Sequence, residues 1–242
     1  MLVLNAGMIA LILLLAKPGL GRFGTLLRQL YPLLLLPALY GALDLLNGLG
    51  NVSAHDELVL AWERALFGGE PAREWWQRYP STFWSTVLHG AYWLFYPILV
   101  FPVAWFLRSR DEAALTRTVL ALTATFVGCY LVFIFFPVAG PYYQYPRPSA
   151  EFLDNPMARL VYRTLSTGSS YGAAFPSSHV AAAVVALGTT WMGSRVAGQI
   201  LLLPVLMLIV SVVYCQMHYA VDALAGLVVA GVVLVSTWRR AP

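Results

Sequence analysis

The sequence predicts an all-α polytopic membrane protein, and two observations lead to this fold class. Of its 242 residues, 60% are hydrophobic and only 11% are charged, whereas about a quarter of the residues in a soluble domain are charged. Long apolar stretches recur along the chain, and about 20 such residues cross the hydrocarbon core of a bilayer as a helix. We predict seven helices, the first and fifth of them short, at roughly 2–16, 29–46, 84–107, 113–137, 176–193, 196–215 and 219–238.

The ends and links of these stretches favour one integral membrane domain, 1–242. The first stretch has no charge before Lys17 and no Ala-x-Ala-like cleavage site after it, which favours a signal anchor or a true span over a removed signal peptide. No internal repeat, low-complexity tract or linker divides the chain. Cys129 and Cys215 lie inside apolar stretches, so we predict that they are packing residues rather than a disulfide framework.

The net charge of +4 does not indicate a nucleic-acid partner, because the basic residues cluster in the short links between the predicted helices. If the helices simply alternate in direction, these residues share one side of the membrane, which the positive-inside rule makes cytoplasmic. The N-terminus is then outside. The residues concerned are Lys17, Arg22, Arg28, Arg108, Arg110, Arg117, Arg195, Arg239 and Arg240.

The outer segment and the third predicted span each carry a further structural prediction. In the outer segment 47–80, apolar residues at roughly helical spacing and the Trp75-Trp76 pair favour a helix in the membrane interface over a plain loop. The third span is rich in aromatic residues and contains Pro97 and Pro102, so we expect it to be kinked. For His89, within that span, a structural hydrogen bond is a better interpretation than a relay or a ligand.

Two histidine stretches, 171–179 and 217–222, border the last helices and carry the functional signal. His218 and Asp222 are four positions apart, which on a helix places them on the same face. A carboxylate there accepts the N–H of one ring nitrogen and leaves the lone pair of the other free as a nucleophile or base. His218 is therefore a candidate nucleophile, and Asp222 is the group that orients it.

The second stretch predicts an anion site at a helix start. Pro176 suits the first helical position, with Ser177, Ser178 and His179 in the first turn. Unpaired backbone N–H groups beside hydroxyl groups bind anions such as phosphate, and His179 would protonate the departing oxygen. Both stretches border the same outer face, next to a loop that carries Arg147.

Other uses of the same residue types stay open at this point. Two histidines and one aspartate would also suit zinc, although Asp222 serves equally as the partner of His218. A transporter could use these groups as an intramembrane relay, but apart from Asp44 and His89 few polar residues lie inside the spans.

The motifs resemble the type 2 phosphatidic acid phosphatase superfamily of membrane lipid phosphatases and phosphotransferases. That family carries Lys-x6-Arg-Pro, then Pro-Ser-Gly-His, then Ser-Arg-x5-His-x3-Asp, on a six-helix core. The resemblance spans about 29–238 and leaves 1–28 as an extra helix and link. By position, Arg147 and Pro148 match the first motif, Ser177 and His179 the second, and Ser211, His218 and Asp222 the third.

Three positions depart from this pattern: the first-motif lysine falls at Gly140, the second-motif glycine at Ser178 and the third-motif arginine at Val212. A site that lacks two cations fits a singly charged phosphodiester better than a phosphate monoester, whose second pKa is about 6. Three short motifs also resemble the branch that contains inositol phosphorylceramide synthases and, more distantly, sphingomyelin synthases. They are Gly-Pro-Tyr-Tyr, which contains Tyr142, Phe-Pro-Ser-x-His, which begins at Phe175, and His-Tyr-x-x-Asp, which contains Tyr219.

The resemblance implies a membrane enzyme that works without metal or other cofactor, through a phosphohistidine. His218, His179 and Asp222 would be catalytic, and Arg147, Ser177 and Ser178 would bind the phosphate. We expect hydrolysis of a lipid phosphate ester, with head-group transfer to a lipid hydroxyl as the alternative. The implied partners are the bilayer and a phospholipid or lipid phosphate, in the cell membrane, with the site on the extracytoplasmic face.

Overall fold

The described part of the protein is helical throughout, as the sequence predicts. The computed structural model describes residues 7, 10–12, 14–15, 21–47 and 52–238. The first predicted helix, 2–16, falls mostly outside these residues, as do Lys17, Arg239 and Arg240. Within the described residues there is no strand, only an isolated bridge between Val138 and Ala173.

The helices follow one another with short links. They are α1 (Gly21–Leu46), α2 (Asp56–Phe67), α3 (Pro71–Arg78), α4 (Thr82–Trp93), α5 (Phe95–Ser109), α6 (Glu112–Phe135), α7 (Pro141–Gln144), α8 (Ala150–Leu153), α9 (Pro156–Gly168), α10 (Ser178–Gly193), α11 (Arg195–Tyr214) and α12 (Ala220–Trp238).

Among the described helices, α1, α6, α11 and α12 are long and apolar enough to cross a membrane, and α4 with α5 would form a fifth, bent span. The chain is therefore an integral membrane protein. Cys129 and Cys215 are free and buried among the helices, which agrees with their predicted packing role.

The predicted kink of the third span is present, between α4 and α5, with a bend of 42°. α4 ends at Trp93 and α5 begins at Phe95. Pro97 has no N–H to donate to the carbonyl group four residues earlier, which is that of Trp93, and its ring collides with that carbonyl. The bend directly follows the last turn of α4, which carries the buried Tyr92.

The fifth predicted helix forms the centre of the bundle as α10. It is only 16 residues long and packs against α5, α6, α11 and α12. Small residues allow these neighbours to approach closely, and four of them are fully buried: Ala181, Ala182, Ala183 and Ala186. Because α10 is enclosed by other helices, its first turn is held firmly at one end of the bundle.

The outer segment forms two helices, α2 and α3, rather than the single interfacial helix that we predicted. The exposed side of α2 carries large apolar residues, including Leu58, which is 45% exposed, and Leu66, which is 63% exposed. Its inward side instead buries Asp56, Val59 and Glu63. Two carboxylates on the buried face of an otherwise apolar helix need partners, and these partners lie at the candidate site.

Candidate active site

The two histidines that the sequence singled out lie in direct contact. Nε2 of His218 is 3.3 Å from Nδ1 of His179. His179 is the second residue of α10, and His218 lies in the short link between α11 and α12. α10 and α11 together carry the chain away from this end of the bundle and back again, so residues distant in sequence meet there.

The nitrogen of His218 that faces away from His179 is held by the protein. Nδ1 lies 3.1 Å from the carbonyl oxygen of Ala174 and 3.5 Å from Oδ2 of Asp222. The carbonyl is the closer hydrogen-bond acceptor, and the carboxylate adds a negative charge beside the ring. Asp222 thus lies where the sequence predicts an orienting group, but it shares that position with a backbone oxygen.

The reason why His218 and Asp222 meet differs from our expectation. α12 begins at Ala220, so His218 precedes the helix and the two residues do not share a helical face. Asp222 is in the first turn, where Oδ2 accepts the backbone N–H of Tyr219 at 2.9 Å. This hydrogen bond is that of a helix cap, and it fixes the carboxylate next to the residue that precedes Tyr219.

The start of α12 is also fastened to the start of α10. The backbone N–H of Ser177 donates to the carbonyl oxygen of Asp222 at 2.9 Å. One turn later, Gly226 allows the helices to touch, because a Cβ at that position would lie 2.6 Å from the carbonyl oxygen of Ser177. The residues that carry the two histidines are therefore held as one unit.

These contacts determine where the protons lie when both rings are neutral. A carbonyl oxygen only accepts, so Nδ1 of His218 carries a proton and Nε2 has the free lone pair. Nδ1 of His179 then donates to that lone pair, and Nε2 of His179 accepts a hydrogen bond. Its partner is the hydroxyl group of Tyr92, at 3.2 Å. The free lone pair of His218 therefore faces the proton of His179.

The first turn of α10 differs from our expectation by two residues. Pro176 precedes the helix, Ser177 is the N-cap, and α10 begins at Ser178. Ser177 is fully buried, and its Oγ accepts the backbone N–H of Val180 at 3.3 Å. The N–H groups of Ser178 and His179 belong to the first turn of α10, so they have no acceptor inside the helix.

Asp56 was missed as a site residue, and it holds the loop that faces the histidines. Its carboxylate accepts the backbone N–H groups of Ala139 and Gly140, both at 2.8 Å. It also accepts the hydroxyl group of Tyr219 at 2.9 Å. The loop at Val138 pairs in turn with Gly172 and Ala174, which fixes the carbonyl oxygen that orients His218.

Glu63 was missed as well, and it holds the start of α12. Its two oxygens accept the backbone N–H groups of Ala220 and Val221, at 3.0 Å and 2.8 Å. Burial raises the pKa of the Glu63 carboxyl, although the hydrogen bonds from Val221 and Ala220 act in the opposite direction. Asp56 and Glu63 are seven positions apart and so share a helical face, the one signal in the sequence that could have identified them.

Arg147 lies apart from the histidines. Its side chain is exposed, and its guanidinium carbon lies 5.3 Å from the ring centroid of Tyr162. That ring packs against Tyr142 at 5.9 Å, and Tyr142 lines the cavity beside the histidines. Within the described part of the chain Arg147 makes no ion pair. Aromatic rings thus lie between Arg147 and the cavity.

The three departures from the family motifs have structural counterparts. Gly140 has φ +85° and ψ 170°, which only glycine adopts readily, and a Cβ there would lie 2.6 Å from Cβ of Ala174. Val212 is fully buried in the core. Ser178 is buried and lines a groove beside His179. Neither Gly140 nor Val212 has room for a cationic side chain.

A cavity of about 50 Å³ touches both histidines, and tyrosines form much of its wall. It adjoins a larger, mostly apolar groove of about 620 Å³ that reaches His179 between α1, α5, α6 and α9. None of the described lining residues is a lysine or arginine. The tyrosines at the small cavity are Tyr40, Tyr92, Tyr142 and Tyr143.

One face of α1 fastens the far wall of the groove. Tyr40 accepts the backbone N–H of Ser170 at 3.2 Å, and Asp44 accepts that of Tyr171 at 3.0 Å. The side-chain amide of Asn47 donates to the carbonyl oxygen of Tyr171 at 2.8 Å. These contacts tie the loop before α10 to α1.

His89 makes the structural hydrogen bonds that we predicted. It is fully buried, and Nδ1 lies 2.8 Å from the carbonyl oxygen of Ser85 and 3.1 Å from its hydroxyl oxygen. The same hydroxyl group donates to the carbonyl oxygen of Phe152 and accepts from the amide of Asn155. His89 thus belongs to a network that joins α4 to α8 and to the link that follows α8.

Residues 57–236 match the family model of the PAP2 superfamily. The chain belongs to the PAP2 superfamily. No curated protein and no solved structure matched the chain. The PAP2 match begins within α2 and ends within α12, so it includes both histidines and leaves α1 outside. PAP2 membership indicates a phosphatase-type enzyme. Within the described residues, no group of three or more His, Cys, Asp and Glu side chains could hold a metal ion.

Proposed function

We propose that this protein is a metal-independent lipid phosphatase that works through a phosphohistidine on His218. The observation that carries the proposal is the contact of Nε2 of His218 with Nδ1 of His179. This contact supports the proposal because a nitrogen lone pair and a possible proton donor adjoin each other at the wall of one small cavity. Phosphoryl transfer in line needs this pair, one group for attack and one for the departing oxygen.

In the first half of the reaction the phosphoryl group enters between the two rings, which separate to receive it. Nε2 of His218 attacks phosphorus, and the bond from phosphorus to the ester oxygen breaks. His179 reacts as the imidazolium and transfers the proton on Nδ1 to the departing oxygen. Asp222 and the carbonyl oxygen of Ala174 stabilise the positive charge that develops on His218.

In the second half, His179 has lost the proton on Nδ1 and acts as the base. It accepts a proton from water, whose oxygen attacks phosphorus while the bond to Nε2 of His218 breaks. Inorganic phosphate leaves and both histidines are restored. The N–H groups of Ser178 and His179 stabilise the non-bridging oxygens, as unpaired N–H groups at helix starts do.

The apolar groove beside His179 supports a lipid substrate. It is walled by the membrane-crossing helices α1 and α6 together with α5 and α9, and its volume is about 620 Å³. An acyl chain that lies in this groove would place its phosphate ester at the end where His179 and Ser178 line the wall. The bilayer would supply the substrate from the side.

Head-group transfer to a lipid hydroxyl is the second candidate, and the lack of cations at the cavity favours it. A phosphodiester carries one negative charge, whereas a monoester carries nearly two at neutral pH. A cavity lined by tyrosines and without a described lysine or arginine suits the singly charged substrate. An acceptor hydroxyl would take the place of water in the second half of the reaction, as in the inositol phosphorylceramide synthase-like branch.

We also propose that the site opens to the extracytoplasmic face. Both histidines lie near the start of α10, whereas Arg195 lies just beyond its other end. Arg108 lies in the last turn of α5 and Arg110 directly follows that helix, at an end of the bundle that simple alternation places on the same side as Arg195. By the positive-inside rule that side is cytoplasmic.

The test uses purified protein in detergent with EDTA, offered phosphatidate, a prenyl pyrophosphate, or phosphatidylinositol together with ceramide. Release of free phosphate supports the hydrolase, and ceramide-dependent transfer of the head group supports the transferase. With a ³²P-labelled substrate, the wild type should acquire an acid-labile ³²P label on the protein. His218→Ala should abolish this label together with either activity. Turnover that survives in His218→Ala would overturn the proposal. No turnover of any of these substrates by the wild type would also overturn it and would favour the transporter.

A further inference from the structure

Tyr92 is the only described side chain besides His218 that forms a hydrogen bond with the ring of His179. It lies in the last turn of α4, and its hydroxyl oxygen is 3.2 Å from Nε2 of His179. Tyr92 is only 7% exposed. The hydroxyl group has no second hydrogen-bond partner among the described residues.

We propose that Tyr92 is the positioning residue for His179, and this inference rests on the proposed function. It holds the ring with Nδ1 toward the reacting phosphorus, as Ala174 and Asp222 hold His218 from the opposite side. The position of the His179 ring and its orientation depend on different contacts. The ring of His179 stacks on Tyr92 at 5.0 Å and lies 4.3 Å from the ring of Phe95, while the hydroxyl group decides which nitrogen faces His218.

A tyrosine hydroxyl suits this role because it both donates and accepts hydrogen bonds. In the resting arrangement it donates to Nε2 of neutral His179, whose proton is on Nδ1. When His179 is an imidazolium, Nε2 carries a proton, and the hydroxyl oxygen of Tyr92 accepts a hydrogen bond from that N–H group. Tyr92 therefore keeps its bond through both protonation states, and it neither gains nor loses a proton in the reaction.

This role predicts that removal of the hydroxyl group harms those reactions that depend on proton donation by His179. An alkoxide leaves with difficulty unless it is protonated, whereas 4-nitrophenolate leaves as a stable anion. The experiment compares Tyr92→Phe with wild type on dodecyl phosphate and on 4-nitrophenyl phosphate. The corresponding diesters, didodecyl phosphate and dodecyl 4-nitrophenyl phosphate, are assayed beside them.

Tyr92→Phe keeps the aromatic ring, so the stacking on His179 is retained. Tyr214→Phe is the matched control, because Tyr214 is also buried and donates its hydroxyl group, to the carbonyl oxygen of Tyr79 at 2.8 Å. It contacts neither histidine. A thermal unfolding midpoint in detergent for each variant separates loss of fold from loss of positioning.

We expect kcat/KM of Tyr92→Phe on the alkyl esters to fall by about tenfold to hundredfold. This is less than the roughly hundredfold to ten-thousandfold that a general acid itself contributes, because Tyr92 only positions His179. On the 4-nitrophenyl esters kcat/KM should change less than about threefold. This ratio covers only the steps up to departure of the leaving group, so the second half of the reaction, in which His179 acts as the base for both kinds of ester, does not enter the comparison. Equal losses on both leaving groups, or none, overturn the positioning role while leaving the function of His218 intact. No His218-dependent turnover of any ester by the wild type overturns the proposed function and this inference with it.

Discussion

Nδ1 of His179 lies 3.3 Å from Nε2 of His218, although the two residues are 39 positions apart. The contact depends on α10 and α11, which run to the far end of the bundle and back, and on the hydrogen bond from Ser177 to Asp222 at 2.9 Å. A pair assembled in this way is lost when the bundle loosens. Activity should therefore report the packing of α10 against α12 as well as the chemistry of the rings.

Asp222→Asn should lower kcat by about a hundredfold to ten-thousandfold, the range for acid and base catalysis. The amide oxygen of asparagine still accepts the N–H of Tyr219, so the start of α12 is retained. The negative charge beside Nδ1 of His218, 3.5 Å away in the wild type, is lost, and the positive charge on the reacting ring is no longer balanced. Steady-state kinetics should show little change in KM.

Asp154→Asn is the control for this measurement, because Asp154 is exposed and, among the described residues, forms an ion pair only with Arg159. It should leave kcat unchanged. A wild-type rate in Asp222→Asn would remove the carboxylate from the mechanism and assign the orientation of His218 to the carbonyl oxygen of Ala174 alone.

Gly140→Ala should destabilise the fold by about 2–4 kcal/mol, since a side chain there is strained and overpacked. The position has φ +85°, and a Cβ would lie 2.6 Å from Cβ of Ala174. Any displacement of Ala174 moves the carbonyl oxygen that orients His218, so kcat should fall as well. Thermal unfolding in detergent and steady-state kinetics measure the two effects.

Gly128→Ala provides the comparison, because Gly128 lies inside α6 and a Cβ there meets nothing within 4 Å. Alanine in a helix is favoured over glycine by about 1 kcal/mol, so this variant should be as stable as the wild type or slightly more so. If Gly140→Ala behaves like Gly128→Ala, the loop at Gly140 is not the constraint that we describe.

Glu63 should make the stability of the protein depend on pH. Burial raises the pKa of its carboxyl above the ordinary value of 4.5, so the folded state binds this proton more tightly than the unfolded state does. The resulting stability is fully present below pH 4.5 and is lost as the pH rises through the higher pKa of the folded state. Unfolding midpoints measured in detergent from pH 4 to pH 8 should fall along this part of the range.

Glu63→Gln cannot ionise, so its midpoint should lack this decrease. Glu57→Gln is the matched control, because Glu57 is an exposed carboxylate on the same helix, and it should keep the wild-type dependence. Parallel curves for the wild type and Glu63→Gln would show that another group governs the decrease.

The sequence predicted the membrane-crossing helices well, because each repeats one simple physical requirement, an apolar stretch of sufficient length. The meeting of His179 with His218 was also predictable, since alternation of the helices brings both stretches to the same end of the bundle. The local geometry around His218 was harder to predict. The four-residue spacing predicts His218 and Asp222 on one helical face, but α12 begins only at Ala220. A shift of two residues in a helix start is below what composition can resolve.

Asp56 and Glu63 escaped prediction for a different reason. In the sequence they look like the polar face of a surface helix, because their neighbours Leu58 and Leu66 are apolar. Only the tertiary structure shows that the carboxylates point inward, to backbone N–H groups of Gly140 and Ala220. Backbone partners leave no trace in the sequence, so buried carboxylates of this kind cannot be paired with them by pattern.

Arg147→Ala should raise KM more than it lowers kcat. The resemblance makes Arg147 the phosphate-binding arginine, yet its guanidinium group lies over the ring of Tyr162, which is separated from the cavity by Tyr142. To bind phosphate, the exposed side chain has to leave Tyr162 and pass Tyr142 as the substrate enters. An arginine that engages only with substrate contributes to binding in the ground state as well as in the transition state.

Two variants separate this role from a structural one. Arg147→Lys keeps the charge but loses the planar fork that pairs with two phosphate oxygens, so its KM should lie between those of wild type and Arg147→Ala. Arg159→Ala removes an exposed arginine that pairs with Asp154, and it should leave KM unchanged. If Arg147→Ala lowers only the unfolding midpoint, with KM and kcat unaffected, Arg147 serves to pack Tyr162, and the tyrosines with the N–H groups of Ser178 and His179 bind the phosphate without it.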